Sequence, residues 1–136
     1  METTSTADPT ITKVHEDSRG EMYTINLPGD RELMLLFSKK GSLRGGHSHD
    51  VPESVMVLAG RMRYHKLLTG PTDSPLTGYT TLSDGDSSKN RGGEVHMGEF
   101  LEDTWLIEWK VGTTKTGWKN TNYEPWREKV RANGAG

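Results

Sequence analysis

Turn-forming residues break this chain into pieces of strand length. Pro28-Gly29-Asp30, Lys39-Lys40-Gly41 and Ala59-Gly60 are examples. The segments between such breaks run to about four to eight residues, right for strands and short for helices. Strands are expected over 11–14, 21–27, 33–38, 42–49, 53–58, 62–68, 79–82 and 104–111. His15 to Gly20 reads as a turn, and Ala59-Gly60 as the turn of a hairpin joining its two flanking strands. Residues 69–93 are rich in Gly, Pro, Ser, Asp and Thr and read as surface loops around the single strand 79–82. Only the end looks helical, where Pro125 opens a helix expected to reach about residue 132, before Gly134. Many short strands and one terminal helix predict an all-β sandwich or barrel.

A chain of 136 residues is one domain's worth, and with 31% hydrophobic residues its core must be small. Residues 1–10 are expected to form a flexible tail, 11–123 the barrel, and 124–136 the C-terminal helix and tail. The 17 basic and 19 acidic residues are dispersed, with no basic stripe, which argues against a nucleic-acid partner. The first ten residues lack the basic and apolar regions of a secretory signal, and no apolar run could span a bilayer. A cytoplasmic protein with no membrane partner is expected. Cysteine is absent, so disulfides, thiolate metal ligands and thiol nucleophiles are excluded.

Two segments carry chemistry. In the first, Gly41 precedes His47, His49, Glu53 and Gly60. Side chains alternate along a strand, so His47 and His49 would share a face. A turn at Asp50-Val51-Pro52 then starts the next strand with Glu53 beside them. In the second, Gly85 and Gly93 precede His96, which would bring a third imidazole to the same point. Three imidazoles and one carboxylate suit a divalent first-row ion and leave positions open on it, as a catalytic centre requires. Fe, Mn, Ni and Zn all accept this set. Imidazoles bind metal only when neutral, so the ion is expected to leave as pH falls through about 6.

These segments resemble the cupin superfamily. Its first motif, G-x5-H-x-H-x3,4-E-x6-G, is met by Gly41, His47, His49, Glu53 and Gly60. At ordinary residue frequencies such a match arises by chance on the order of 10⁻⁵ times in a chain of this length. The second motif, G-x5-P-x-G-x2-H-x3-N, is met at Gly85, Gly93 and His96 but carries Arg91 for Pro and Phe100 for Asn. The resemblance implies a single double-stranded β-helix, or jelly-roll, barrel with a divalent metal on His47, His49, Glu53 and His96. A fainter resemblance, through Asp17-Ser18-Arg19-Gly20 and Arg44-Gly45-Gly46-His47-Ser48-His49, is to the nucleotide-sugar ketoisomerase and epimerase cupins. Those relatives use histidines as acid and base without metal, and usually lack the glutamate.

Other residues take lesser parts in this reading. Glu53 and Tyr64 are the catalytic candidates, and Arg44 and Tyr64 the substrate-binding ones. Arg44 suits a carboxylate or phosphate, although strict alternation sets it opposite His47 and His49 unless Gly45-Gly46 forms a bulge. His65 is expected on the surface with Arg61 and Arg63, and Glu108 as a solvated strand charge. Trp105, Ile107, Trp109 and Val111 share a face that reads as core or interface. Apolar residues on both faces of strands 33–38 and 53–58 predict a homodimer. Three functions fit. They are a metal-dependent dioxygenase, isomerase or lyase acting on a small sugar-like or carboxylate molecule, a metal-independent sugar isomerase or epimerase, and a non-catalytic binder of a small ligand.

Overall fold

The computed structural model describes residues 8–49, 51–67, 78–110 and 120–122. They form eleven strands: β1 Thr10–Asp17, β2 Gly20–Leu27, β3 Arg31–Ser38, β4 Leu43–His49, β5 Glu53–Ala59, β6 Arg61–Leu67, β7 Tyr79–Ser83, β8 Ser87–Asn90, β9 Val95–Phe100, β10 Thr104–Lys110 and β11 Asn120–Asn122. Two antiparallel sheets result, in the orders β1-β2-β3-β10-β5-β8 and β11-β4-β9-β6-β7. Among the described residues no helix is long and apolar enough to cross a membrane. The helix expected over 124–132 lies outside the described residues.

The inner faces of the sheets meet in a core of Leu36, Val55, Val57, Met62, Tyr64, Leu82, Phe100 and Leu106. Burying each large apolar side chain among them contributes about 1.5–3 kcal/mol. Alternation explains the choice of face. On β5, Val55 and Val57 are fully buried while Leu58 is exposed, and on β6 Met62 and Tyr64 turn inward as expected.

Four expectations are corrected. Ala59-Gly60 does not close a hairpin, because β5 and β6 belong to different sheets. The chain crosses there from one sheet to the other, at a glycine with φ of +123°. A Cβ at Gly60 would lie 2.4 Å from Thr104 Oγ1 and 2.6 Å from the Asp103 carbonyl, so no other residue fits. The polar segment 87–90 is a strand, β8, held as an edge by backbone pairing with β5; its sequence has no apolar alternation to reveal it. His15 lies within β1, which pairs along its length with β2 around a register shift between Lys13 and His15. The inward face of β10 is the one bearing Leu106, 2% exposed, whereas Trp105 is 37% exposed and packs outside against Phe37 at 4.9 Å.

Candidate functional site

Two strands bring the described members of the predicted ligand set, Glu53 and His96, together. Glu53 opens β5, where its backbone pairs with Lys110 of β10 on one side and Asn90 of β8 on the other. His96 lies on β9, across the barrel. Its Nε2 is 3.1 Å from Glu53 Oε1, and both side chains are buried. His96 Nδ1 lies 3.2 Å from the Glu94 carbonyl. A carbonyl only accepts, so Nδ1 donates, and Nε2 is the ring nitrogen on the Glu53 side. Lys110 Nζ sits 2.5 Å from the other carboxylate oxygen, Oε2.

The β4 histidines enter through the backbone. Gly45 and Gly46 have φ of +97° and +80°, and the β4–β9 register shifts between Gly45 and His47. This is the bulge that the glycine pair allows. A Cβ at Gly45 would come within 2.9 Å of the His96 carbonyl, so the two strands approach as closely as backbones can. The bulge sets the backbone of His47 opposite that of His96, while that of His49 pairs with Asn120 of β11. The side chains of His47 and His49 lie outside the described residues. Among the described residues, no group of three His, Asp or Glu side chains is placed to hold a metal ion.

Beside His96 the barrel holds a partly open cavity of about 270 Å³. Met22, Leu36, Met62, Phe100 and Leu106 give it apolar walls, and Arg19, Arg44, Tyr64, His96 and Glu108 supply its polar groups. Tyr64 is stacked on His96 at 5.9 Å between ring centroids, and its hydroxyl accepts a 2.5 Å hydrogen bond from Asn90 Nδ2. Burial and then the nearby Glu53 charge hold its phenol well above the usual range, so it stays protonated.

Arg44 is the predicted residue whose position the bulge decides. Its side chain lines the cavity and is only 8% exposed. Nε donates to Ser38 Oγ at 2.6 Å and Nη2 to the Phe37 carbonyl at 3.3 Å. Arg19 lies at the same end, with its guanidinium clasped by Asp17 at 2.6–3.2 Å.

Two expectations fail here for opposite reasons. Glu108 lines the cavity instead of facing solvent. Burial, then the Glu53 charge, pushes its carboxyl up to about 8. The signal that places it was its neighbour Leu106, outweighed in the sequence by the bulkier tryptophan face. His65 does point away from the cavity, yet it is 2% exposed and donates from Nε2 to Glu99 Oε1 at 3.0 Å. A histidine and a glutamate 34 positions apart gave no local sign of that pairing. Lys110 and Asn90, which hold Glu53 and Tyr64, were also missed, since cross-strand partners depend on register.

No family model and no curated protein matches the sequence. Solved structures do. The capsular polysaccharide assembling protein CapF from Staphylococcus aureus superposes with a TM-score of 0.67 at 18% identity, over 83% of this chain and 31% of CapF. Oxalate decarboxylase from Lactobacillus farciminis, as a formate complex, gives 0.64 at 14% identity over 85% of this chain and 34% of that one. The Drosophila melanogaster CENP-C cupin domain gives 0.58 at 13% identity, with 74% of each chain covered. The chain therefore spans about a third of the length of CapF and of the decarboxylase. At these identities the similarity is one of fold: the chain has the cupin fold.

Proposed function

We propose that this barrel holds one divalent first-row metal ion on His47, His49, Glu53 and His96 and binds a small polar, sugar-like or carboxylate molecule in the cavity beside it. The observation that carries the reading is the Glu53–His96 pair. Two ligand atoms at about 2.1 Å from one ion, on adjacent positions, stand about 3.0 Å (octahedral) to about 3.4 Å (tetrahedral) apart, and Glu53 Oε1 and His96 Nε2 are 3.1 Å apart. The Glu94 carbonyl fixes the imidazole as a metal-ligating histidine needs. Lys110 engages Oε2 and leaves Oε1 directed at His96. The register of His47 against His96 is consistent with a third ligand from β4.

A bound ion would supply Lewis acidity toward substrate oxygens. The chain's own residues do the rest. Lys110 balances the Glu53 charge, Tyr64 presents a protonated phenol beside His96, and the apolar wall packs against the ligand's body. Elemental analysis of purified protein tests the reading. About one equivalent of metal is expected, falling at least tenfold in Glu53→Ala and His49→Ala. A wild-type protein that gains no metal on incubation with Fe, Mn, Ni or Zn overturns it.

A second reading is favoured by the Lys110–Glu53 pair, which satisfies the carboxylate with a protein cation. In it the barrel is a metal-independent sugar isomerase or epimerase, with His49 and Tyr64 moving protons. The polysaccharide assembly named for CapF fits a sugar ligand. The formate bound by the decarboxylase fits a carboxylate. Turnover of a nucleotide sugar that survives both chelation and Glu53→Ala would select the second reading.

A further inference from the structure

Charge balance in the cavity wall points to the kind of ligand it takes. Arg19 is neutralised by Asp17, and its Nη1 also donates to the Leu43 carbonyl at 3.4 Å. Lys110 is engaged by Glu53 outside the residues that line the cavity. Arg44 differs from both. Its hydrogen-bond partners are a hydroxyl and a carbonyl, both neutral, and among the described residues it forms no ion pair. Asp17 and Glu108 act on it only through space, and a buried guanidinium with no anion in contact is costly unless one meets it. Nη1 makes no hydrogen bond among the described residues, and Arg44 lines the cavity.

We infer that the ligand is a small organic acid whose single carboxylate is received by Arg44, with an apolar body against Met22, Leu36, Met62 and Phe100 and its far end toward Tyr64 and His96. This rests on the reading of the cavity as the ligand site, but not on the metal. One guanidinium with part of its fork already engaged matches one negative charge, and a phosphate dianion would bring a second that no wall group among the described residues balances. The volume, about 270 Å³, sits just below the roughly 300 Å³ at which pockets for drug-sized ligands begin, so the acid is small. Glu108 shares the space, and its burial keeps it protonated near neutrality, where it does not cancel Arg44.

The test uses benzoate, its neutral isostere benzamide, and inorganic phosphate, titrated calorimetrically into the full chain with and without EDTA. Benzoate is expected to bind at least tenfold more tightly than benzamide or phosphate, and to do so in EDTA. Arg44→Met should weaken benzoate tenfold or more and leave benzamide unchanged, with Arg44→Lys between. Should Arg44→Met fail to fold, the benzoate-to-benzamide ratio in the native chain decides alone. Equal binding of the two, preference for phosphate, or no binding of any probe overturns the inference. Metal uptake is measured separately, so a protein that gains no metal on incubation yet still prefers benzoate refutes the metal reading and leaves this one standing.

Discussion

Replacing Glu108 by Gln should flatten the pH dependence of stability in a defined window. The carboxyl ionises near 4.5 in the unfolded chain and near 8 in the native cavity. Between those values the native protein holds a proton that the unfolded chain has released. Stability therefore falls as pH rises from about 4.5 to about 8, and this contribution is constant on either side. At about 1.4 kcal/mol per pH unit the displacement sets a ceiling of about 5 kcal/mol. Water entering the cavity relieves burial, the largest cause of the shift, so about 2–3 kcal/mol is the realistic size. Glutamine keeps the shape and removes the titration. Urea unfolding, followed by tryptophan fluorescence at constant ionic strength in EDTA, gives stability from pH 5 to 9. Wild type and Glu108→Gln should agree within about 0.5 kcal/mol at pH 5, and the variant should be about 2–3 kcal/mol more stable at pH 9. Parallel profiles across the range would refute the placement of a protonated carboxyl inside the barrel.

Lys110→Met removes the ammonium 2.5 Å from a buried carboxylate and should cost about 3 kcal/mol in EDTA; added Zn or Mn should restore much of it, and a loss indifferent to metal would count against the metal site. Gly60→Ala demands a strained φ and a Cβ 2.4 Å from Thr104 Oγ1, so a loss of about 2–4 kcal/mol is expected in thermal or urea unfolding. A fall below about 1 kcal/mol would mean that the crossover relaxes easily. Leu58 and Trp105 stand 46% and 37% exposed on the outer face of the six-stranded sheet, and a homodimer through that face is expected. Light scattering that gives a 15.2 kDa monomer at micromolar concentration would rule it out.

The fold class was legible in the sequence, and so were two residues that meet inside the barrel. Strand length, turn chemistry and period-two alternation are local, and they placed β3, β4, β5, β6 and β10 close to their observed spans. Glycine-framed spacing singled out Glu53 and His96, which meet at 3.1 Å from 43 positions apart. The Gly45-Gly46 pair marked the bulge as an option, because only glycine accepts such φ values twice in succession. What the tertiary structure alone decided was pairing. Ala59-Gly60 looks the same whether the chain doubles back within a sheet or crosses between sheets, since the choice depends on whether β10 takes the place beside β5. Glu108 and His65 were misjudged because burial is set by what lies opposite. Glu108 shares a face with Leu106, but only the opposite sheet makes that face the inner one, and His65 finds Glu99 on β9. Lys110 reaches Glu53, and Asn90 reaches Tyr64, through a register that a shift of one residue would reverse. Local periodicity assigns a side chain to a face, and only the assembled sheets determine which face is inside.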